Sequence, residues 1–539
     1  MIKKMLETGP TTWWHNMIYD LIGLEVSLGL DFDKIAKRAR DTGIDSRLLD
    51  PRGRDKGGIG HKLEELAPHY LGVGSKKSTK TLLHEALRSH DSKIKIADVF
   101  RDTPIDLREY EIYAGSDVLL TSRLAEKLHP MVEASPPLRR LHYVEHPLAI
   151  RIALMKRIGM RFDQTWSEEA EAHFDKLRDE AEKRLVEEWG VAQTTKWAHT
   201  NAADLKRVFG KLGAKFEKRT KPSKTYPDGQ ISLDKEVLKE FSRLTGDIGK
   251  LANDILDAKR NEHYGSYVRG MRDSLGVDGR THPSTNPLGA ATARMSVNDP
   301  PLQQLPRDDV WVRGCLLADE DEIVITADFA QIEFRVGAAA SRDPTMISRI
   351  INREDLHAVT ATALFGPDFN KGQRQASKPI GFGRLYMGGP PGVRQAMIQG
   401  DTTGYVPPLT DIRRAIKAFD SDYRAYVRWA KRLIAKVEAD HGNLTTITGR
   451  PLKVHKAYAA PNYAIQSAAR DVFAAGITKL HKAGLGDRLR LVVHDEMVLS
   501  CRPEDAPEVQ REVEKAMNTV LLGVPITTEG EVKGTRWRK

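Results

Sequence analysis

The 539 residues are 40% apolar, too long for one hydrophobic core, and predict about three or four domains. No apolar run approaches membrane-spanning length. Met1-Ile2-Lys3-Lys4 is not followed by the apolar stretch of a secretory signal. Two cysteines, Cys315 and Cys501, supply neither a disulfide scaffold nor a zinc site, so a reducing cytoplasm is expected. Lysine plus arginine exceed the acids 84 to 74, a net charge of +10, which suits a polyanionic partner.

Residues 1–128 read as an α/β piece. Trp13 to Asp20 leads into an apolar helical pattern, and Tyr110 to Leu128 forms a second helix carrying Tyr113 and Asp117. The stretch between, with Gly57-Gly58 and Gly72 to Ser75, reads as loop-rich. From spacing alone Asp20 and Asp117 are helix-surface acids. Residues 129–140, with Pro136-Pro137, read as a linker. From Leu141 to about Met271 the pattern is nearly all helical, broken by the basic loop Lys218 to Lys224, where a solvated face is the default and phosphate contact the sharper reading. Strands and turns return from Gly276. The stretch Ile323 to Arg335 is a short buried strand that hands over to a helix at Asp328. A helical block then runs to about Gly442, followed by a helix from Pro461 to about Ala483, a hairpin and a C-terminal strand.

Three elements carry chemistry. Asp328 at a strand-to-helix junction would by itself be a helix cap. His494-Asp495-Glu496 lies between two short apolar runs, as the polar tip of a β-hairpin does. If that hairpin pairs with the strand ending at Asp328, the two aspartates meet, and facing carboxylates repel unless a cation separates them. Oxygen-only ligands select a hard ion such as Mg²⁺, and two such ions serve phosphoryl transfer. The third element, Arg374, Lys378, Phe382 and Tyr386, recurs every four residues. Each step of about 400° drifts only about 40° along one helix face. Two cations followed by two aromatics suit a triphosphate and a base, though an amphipathic helix with snorkelling cations reads the same way. Pro379, Gly381 and Gly383 disfavour a helix there and predict a kink or a swing.

These stretches resemble the motifs of the A-family, or DNA polymerase I type, DNA polymerases, especially short phage enzymes. Asp328-Phe329-Ala330-Gln331-Ile332-Glu333-Phe334-Arg335 is similar to the family's Asp-Tyr-Ser-Gln-Ile-Glu-Leu-Arg. Arg374 to Tyr386 resembles its Arg-x3-Lys-x3-Phe-Gly-x2-Tyr helix, and His494-Asp495-Glu496 its His-Asp-Glu turn. Flanking matches include Thr292 to Ser296, Leu302 to Pro306, Asp355-Leu356-His357, and Asn462 with Gln466 and Asp471. The resemblance implies a right-hand fold with an antiparallel palm sheet and helical fingers and thumb. The thumb would span 141–275, the palm 276–345 and 443–539, and the fingers 346–442.

The resemblance also implies roles. Asp328, Asp495 and the Phe329 carbonyl would hold two Mg²⁺ ions, with Glu496 close by. Arg374, Lys378 and His357 would grip the incoming triphosphate, and Lys378 could protonate the leaving diphosphate. Phe382 and Tyr386 would stack near the nucleotide and template base, Gln331 would lie at the nucleotide site, and Glu333 would crowd a 2′-hydroxyl. Arg294, Gln303, Asn462, Gln466 and His494 would contact DNA. Phe at 382 implies discrimination against dideoxynucleotides. The partners are primer-template DNA and deoxynucleoside triphosphates, no membrane is involved, and the chain is expected to be a monomer. Replisome partners such as a helicase or a single-strand-binding protein are left open.

Gly381, Pro379, Met387 and Tyr458 depart from the family pattern. Residues 1–128 resemble part of an RNase H-like 3′–5′ exonuclease, with Asn16-x3-Asp20 as its second motif and Tyr113-x3-Asp117 as its third. The first motif, Asp-x-Glu, has no counterpart from Met1 to Trp14. A truncated remnant without proofreading is expected, with a separately supplied upstream segment left open. The rival readings are a single-subunit RNA polymerase and a non-catalytic nucleic-acid-binding protein; a His-Asp phosphohydrolase is remote.

Overall fold

The computed structural model describes residues 2–73, 79–88, 99, 103, 106–194, 196–307, 309–400 and 406–538. At its centre is a four-stranded antiparallel sheet. Leu489–Val493 pairs with Glu496–Cys501, which pairs with Ile323–Phe329, which pairs with Thr528–Gly534. The strand Ile323–Phe329 is therefore central, and its alternation explains both faces. Ile325, Ala327 and Phe329 join the larger core with Met497, Leu499 and Phe473 of the helix Ala460–Lys482. Val324 turns the other way, into a second cluster with Leu491, Val493, Val498 and Trp537. Asp328 shares Val324's face, so the acid follows directly from the period of the strand.

A smaller sheet, Arg280–Thr281, Met160–Phe162 and Leu316–Leu317, lies at the root of a long helical pair. Gln164–Glu187 leaves this sheet and Asp247–Asp273 returns to it. Twenty-four residues at 1.5 Å each carry the chain about 36 Å from the root. The far end has its own core of Leu185, Phe209, Leu238 and Ile255, and bears the helix Lys235–Phe241. In the basic stretch near 218–224, Lys218 is already neutralised by Asp234, 2.7 Å away, and by Glu236.

Several sequence expectations need correction. The stretch 129–140 is not a linker: Pro130 lies inside Arg108–Glu133, and Pro136-Pro137 open Pro136–Ile158. Proline is favoured in the first turn of a helix, whose N–H groups have no partner anyway, so the pair marked a start and not a gap. The stretch expected to be loop-rich contains Thr42–Leu49 and Leu63–Leu71; Gly74 and Ser75 lie outside the described residues. Lys371–Leu385 runs as one helix through Pro379.

The helix Pro136–Ile158 is tied to Ala460–Lys482 by a buried ion cluster. Glu145 is 0%, Arg450 2% and Arg470 4% exposed. Arg470 donates to Glu145 Oε2 at 2.6 Å and Arg450 to Asp471 Oδ1 at 2.7 Å, while Arg450 also pairs with Glu145. Among the described residues no helix is long and apolar enough to cross a membrane.

Candidate active site

Glu496 opens its strand directly opposite Asp328, and Glu529 lies opposite Asp328 on the other side. Residues facing each other across neighbouring strands share a face, so the three acids form a row. Asp495 stands beside the row in the two-residue turn of the hairpin, where His494 adopts φ +57°, as such turns require. Burial, then the charges of Asp328 and Glu333, push the Asp495 carboxyl up to about 7. Glu496 is raised by burial and by Asp328, against the pull of Arg313 and of the Trp537 indole that donates to it. Asp328 and Asp495 thus lie near enough for their charges to act on each other. Opposite them Arg307 donates to Asp328 Oδ2 at 3.1 Å, but it is 65% exposed, and so contributes little. A cleft of about 370 Å³ is lined by Asp328, Glu496 and Glu529 together with Arg307, Arg313 and Trp537. An oxygen-only set held close enough to repel fits a hard divalent cation.

The cationic helix Lys371–Leu385 is capped by Asn370 and Gln373, each side-chain oxygen accepting from the other's backbone N–H. Arg374 pairs with Asp355, and Asp355 also caps the helix Leu356–Phe365 by accepting from the His357 N–H at 3.0 Å. Burial first, then the Lys378 charge, push the His357 imidazole down to about 4, so it is neutral at pH 7. Its Nδ1 is buried without a hydrogen-bond partner. The ring lies 5.3 Å from Phe382 and 5.8 Å from Phe334. The neutral ring lies within reach of the Lys378 and Arg374 charges, which suit an anionic oxygen.

Between these two groups Arg294 donates to Glu333 at 2.5 Å. The Tyr386 hydroxyl bonds Glu333 and accepts from Gln466 at 3.4 Å. Tyr386 is thus held by Glu333 and Gln466. His494 bonds the Gln303 backbone, and the Gln303 side chain holds the Val297 N–H at 3.3 Å and the Met295 carbonyl at 3.4 Å. Asn462 lies one turn before Gln466 on the same helix, and Gln331, at φ +53°, precedes the helix Ile332–Ser341.

A sequence model of "DNA polymerase family A" matches residues 166–539. The chain belongs to DNA polymerase family A. A DNA polymerase of Mycobacterium phage D29 is 31% identical over 97% of this chain and 83% of its own length. That of Mycobacterium phage L5 is 30% identical over the same shares. DNA polymerase I of Chloroflexus aurantiacus is 29% identical over 97% of this chain and 54% of its own. Among solved structures, the POL domain of Pol1 from M. smegmatis, in complex with DNA primer-template and dNTP, has a TM-score of 0.76 at 21% identity, covering 99% of this chain and 88% of that one. This family A polymerase carries out template-directed DNA synthesis.

Two departures from the family pattern have local causes. A Cβ on Gly381 would sit 3.1 Å from Phe334 Cζ, so the larger Phe334 occupies space that Asn would need at 381. Gly381→Asn is expected to cost about 1–3 kcal/mol in stability by overpacking, and Phe334→Leu to recover most of it in a double-mutant cycle. Equal thermal melting of Gly381→Asn and wild type would refute the compensation. Met387 sits at φ +61°, a conformation that costs non-glycine residues and explains the usual Gly.

Trp537 was missed by sequence reasoning. It is 1% exposed, carries Arg313 4.2 Å above its ring, and comes from a C-terminal segment whose pairing no local pattern announces. The N-terminal acids lie in a separate cleft of about 1120 Å³ lined by Asn16, Asp20, Glu64 and Asp117. Burial, then Asp41 and Asp117, push Asp20 up to about 6, and Tyr113 donates to Asp117. Asp41 itself is occupied by the N–H groups of Asn16, Met17 and Gly43. Nearby, Asp45, His142 and His146 cluster in the core. His142 bonds Asp45 at 2.7 Å, and His146 spends both ring nitrogens on the His142 carbonyl and the Asp41 N–H. That leaves His146 without a free lone pair for a metal ion.

Proposed function

We propose that the protein extends the 3′ end of a DNA primer along a template from deoxynucleoside triphosphates, as the replicative polymerase of a phage acting in its host's cytoplasm. In this right-hand reading the long helical pair is the thumb, the central sheet the palm, and residues 346–442 the fingers. The observation that carries it is the pairing of Glu496 with Asp328, which leaves Asp495, the residue before Glu496, within reach of the Asp328 charge. Asp328, Asp495 and the Phe329 carbonyl would hold two Mg²⁺ ions, which when bound neutralise the acids and stabilise charge in phosphoryl transfer. The chain's own groups do the positioning. Arg374, Lys378 and neutral His357 receive the triphosphate oxygens, and Lys378 can give a proton to the leaving diphosphate. The primer's 3′-oxygen forms the new bond at the α-phosphorus as the bond to the diphosphate breaks. Glu333, locked by Arg294 and Tyr386, presents a rigid wall to a 2′-hydroxyl.

The N-terminal piece is read as a partial 3′–5′ exonuclease without proofreading, because residues 1–128 contain no Asp-x-Glu to join Asp20 and Asp117. Primer extension with Mg²⁺ tests both readings. Deoxynucleotides should be incorporated well ahead of ribonucleotides, and a mismatched primer end should persist. Ribonucleotide preference would overturn the first reading, and metal-dependent excision of the mismatch the second.

A further inference from the structure

The far end of the thumb touches the fingers. The helix Lys235–Phe241 lies against Pro390–Gly400, the helix that directly follows the cationic fingers helix. Arg394 Nη1 reaches Glu240 Oε1 at 3.3 Å, Gln395 donates to Glu236 Oε2 at 3.1 Å, and Lys239 Nζ donates to the Gln399 carbonyl at 3.0 Å. Thumb and fingers are both rooted in the palm, so a contact about 36 Å out along the thumb closes a circuit of protein around the polymerase cleft. These contacts are polar and half exposed (Arg394 40%, Glu240 45%). Such pairs are individually weak and screened by salt, and they join two arms that each have a separate core. A permanent interface would be apolar; a joint that must part is built this way.

We propose that this thumb–fingers contact is a latch that holds the DNA-free enzyme shut and must open before primer–template DNA can enter the cleft from the side. The inference rests on the polymerase reading of that cleft. Latch opening then precedes binding, and weakening the latch raises the fraction of enzyme competent to load.

Arg394 gives a decisive sign. An arginine that bound phosphate would slow DNA association when neutralised, whereas a latch arginine would speed it. Arg394→Gln is expected to load onto a fluorescent primer–template several-fold faster than wild type at low salt, with the advantage shrinking as salt rises; slower loading would overturn the proposal. The second test uses Glu236→Cys with Gln395→Cys. Both native cysteines are buried, so a short, disulfide-containing bifunctional thiol reagent is directed to the introduced pair. The crosslinked enzyme should load onto a primed single-stranded circle at least tenfold more slowly, and reduction should restore loading. Equal loading before and after reduction would sink the latch. Failure of the reduced enzyme to extend the primer would instead count against the polymerase reading.

Discussion

Asp495→Asn is expected to lower single-turnover primer extension by about 10³-fold or more, the loss of several kcal/mol of transition-state stabilisation, while DNA affinity measured by anisotropy changes little. The same substitution should raise the thermal stability of the metal-free protein at pH 8. Asp495 is pushed up to about 7 by burial, Asp328 and Glu333, so the folded state holds its proton more tightly than the unfolded chain. With the folded value above the unfolded one, stability falls as pH rises from about 4 to about 7, by roughly 4 kcal/mol at most. Asparagine carries no charge and escapes that penalty. Mg²⁺ should stabilise wild type at pH 8, more than at pH 5, and stabilise Asp495→Asn far less. A variant that melts lower than wild type at pH 8 without metal would show that the acids are not crowded.

Glu145→Ala should be among the most damaging substitutions far from the chemistry. It leaves Arg450 and Arg470, both almost fully buried, with Asp471 alone to offset two charges that Glu145 had shared. Breaking a buried ion cluster on one side costs about 3–5 kcal/mol, because the remaining charges stay desolvated. Burial alone would raise the Glu145 carboxyl, yet Arg470 and Arg450 hold it below the usual carboxylate range. Its contribution is therefore present above the unfolded value near 4.5 and is lost as pH falls through the lower folded value. Denaturation at pH 7 should show a large drop for Glu145→Ala and a smaller one for Glu145→Gln, which keeps an acceptor oxygen. An unchanged midpoint for Glu145→Ala would mean that water reaches the cluster.

The parts of the site legible in sequence were those written in local periods. Ile323 to Asp328 is a short apolar run ending in an acid, the hairpin around His494-Asp495-Glu496 is bounded by apolar runs, and Arg374, Lys378 and Phe382 recur at helical spacing. What stayed hidden depends on distant partners. Nothing near Glu145 signals that Arg450 and Arg470 close on it. Nothing near Gly381 shows that Phe334 fills the adjoining space. The proline pairs misled because a proline at 136 can end one segment or begin another, and only the helix Pro136–Ile158 decides which. Glu333 and Tyr386 were placed in separate roles, yet they share a hydrogen bond.

The strand order has a consequence for biosynthesis. Ile323–Phe329 leaves the ribosome long before either neighbour, Glu496–Cys501 or Thr528–Gly534, has been made. During that interval both of its edges are open and its apolar face has no cover, a state prone to wrong pairing with other nascent chains. The long helical pair, Gln164–Glu187 with Asp247–Asp273, is complete earlier and can fold vectorially, so translation yields a formed arm attached to an unfinished central sheet.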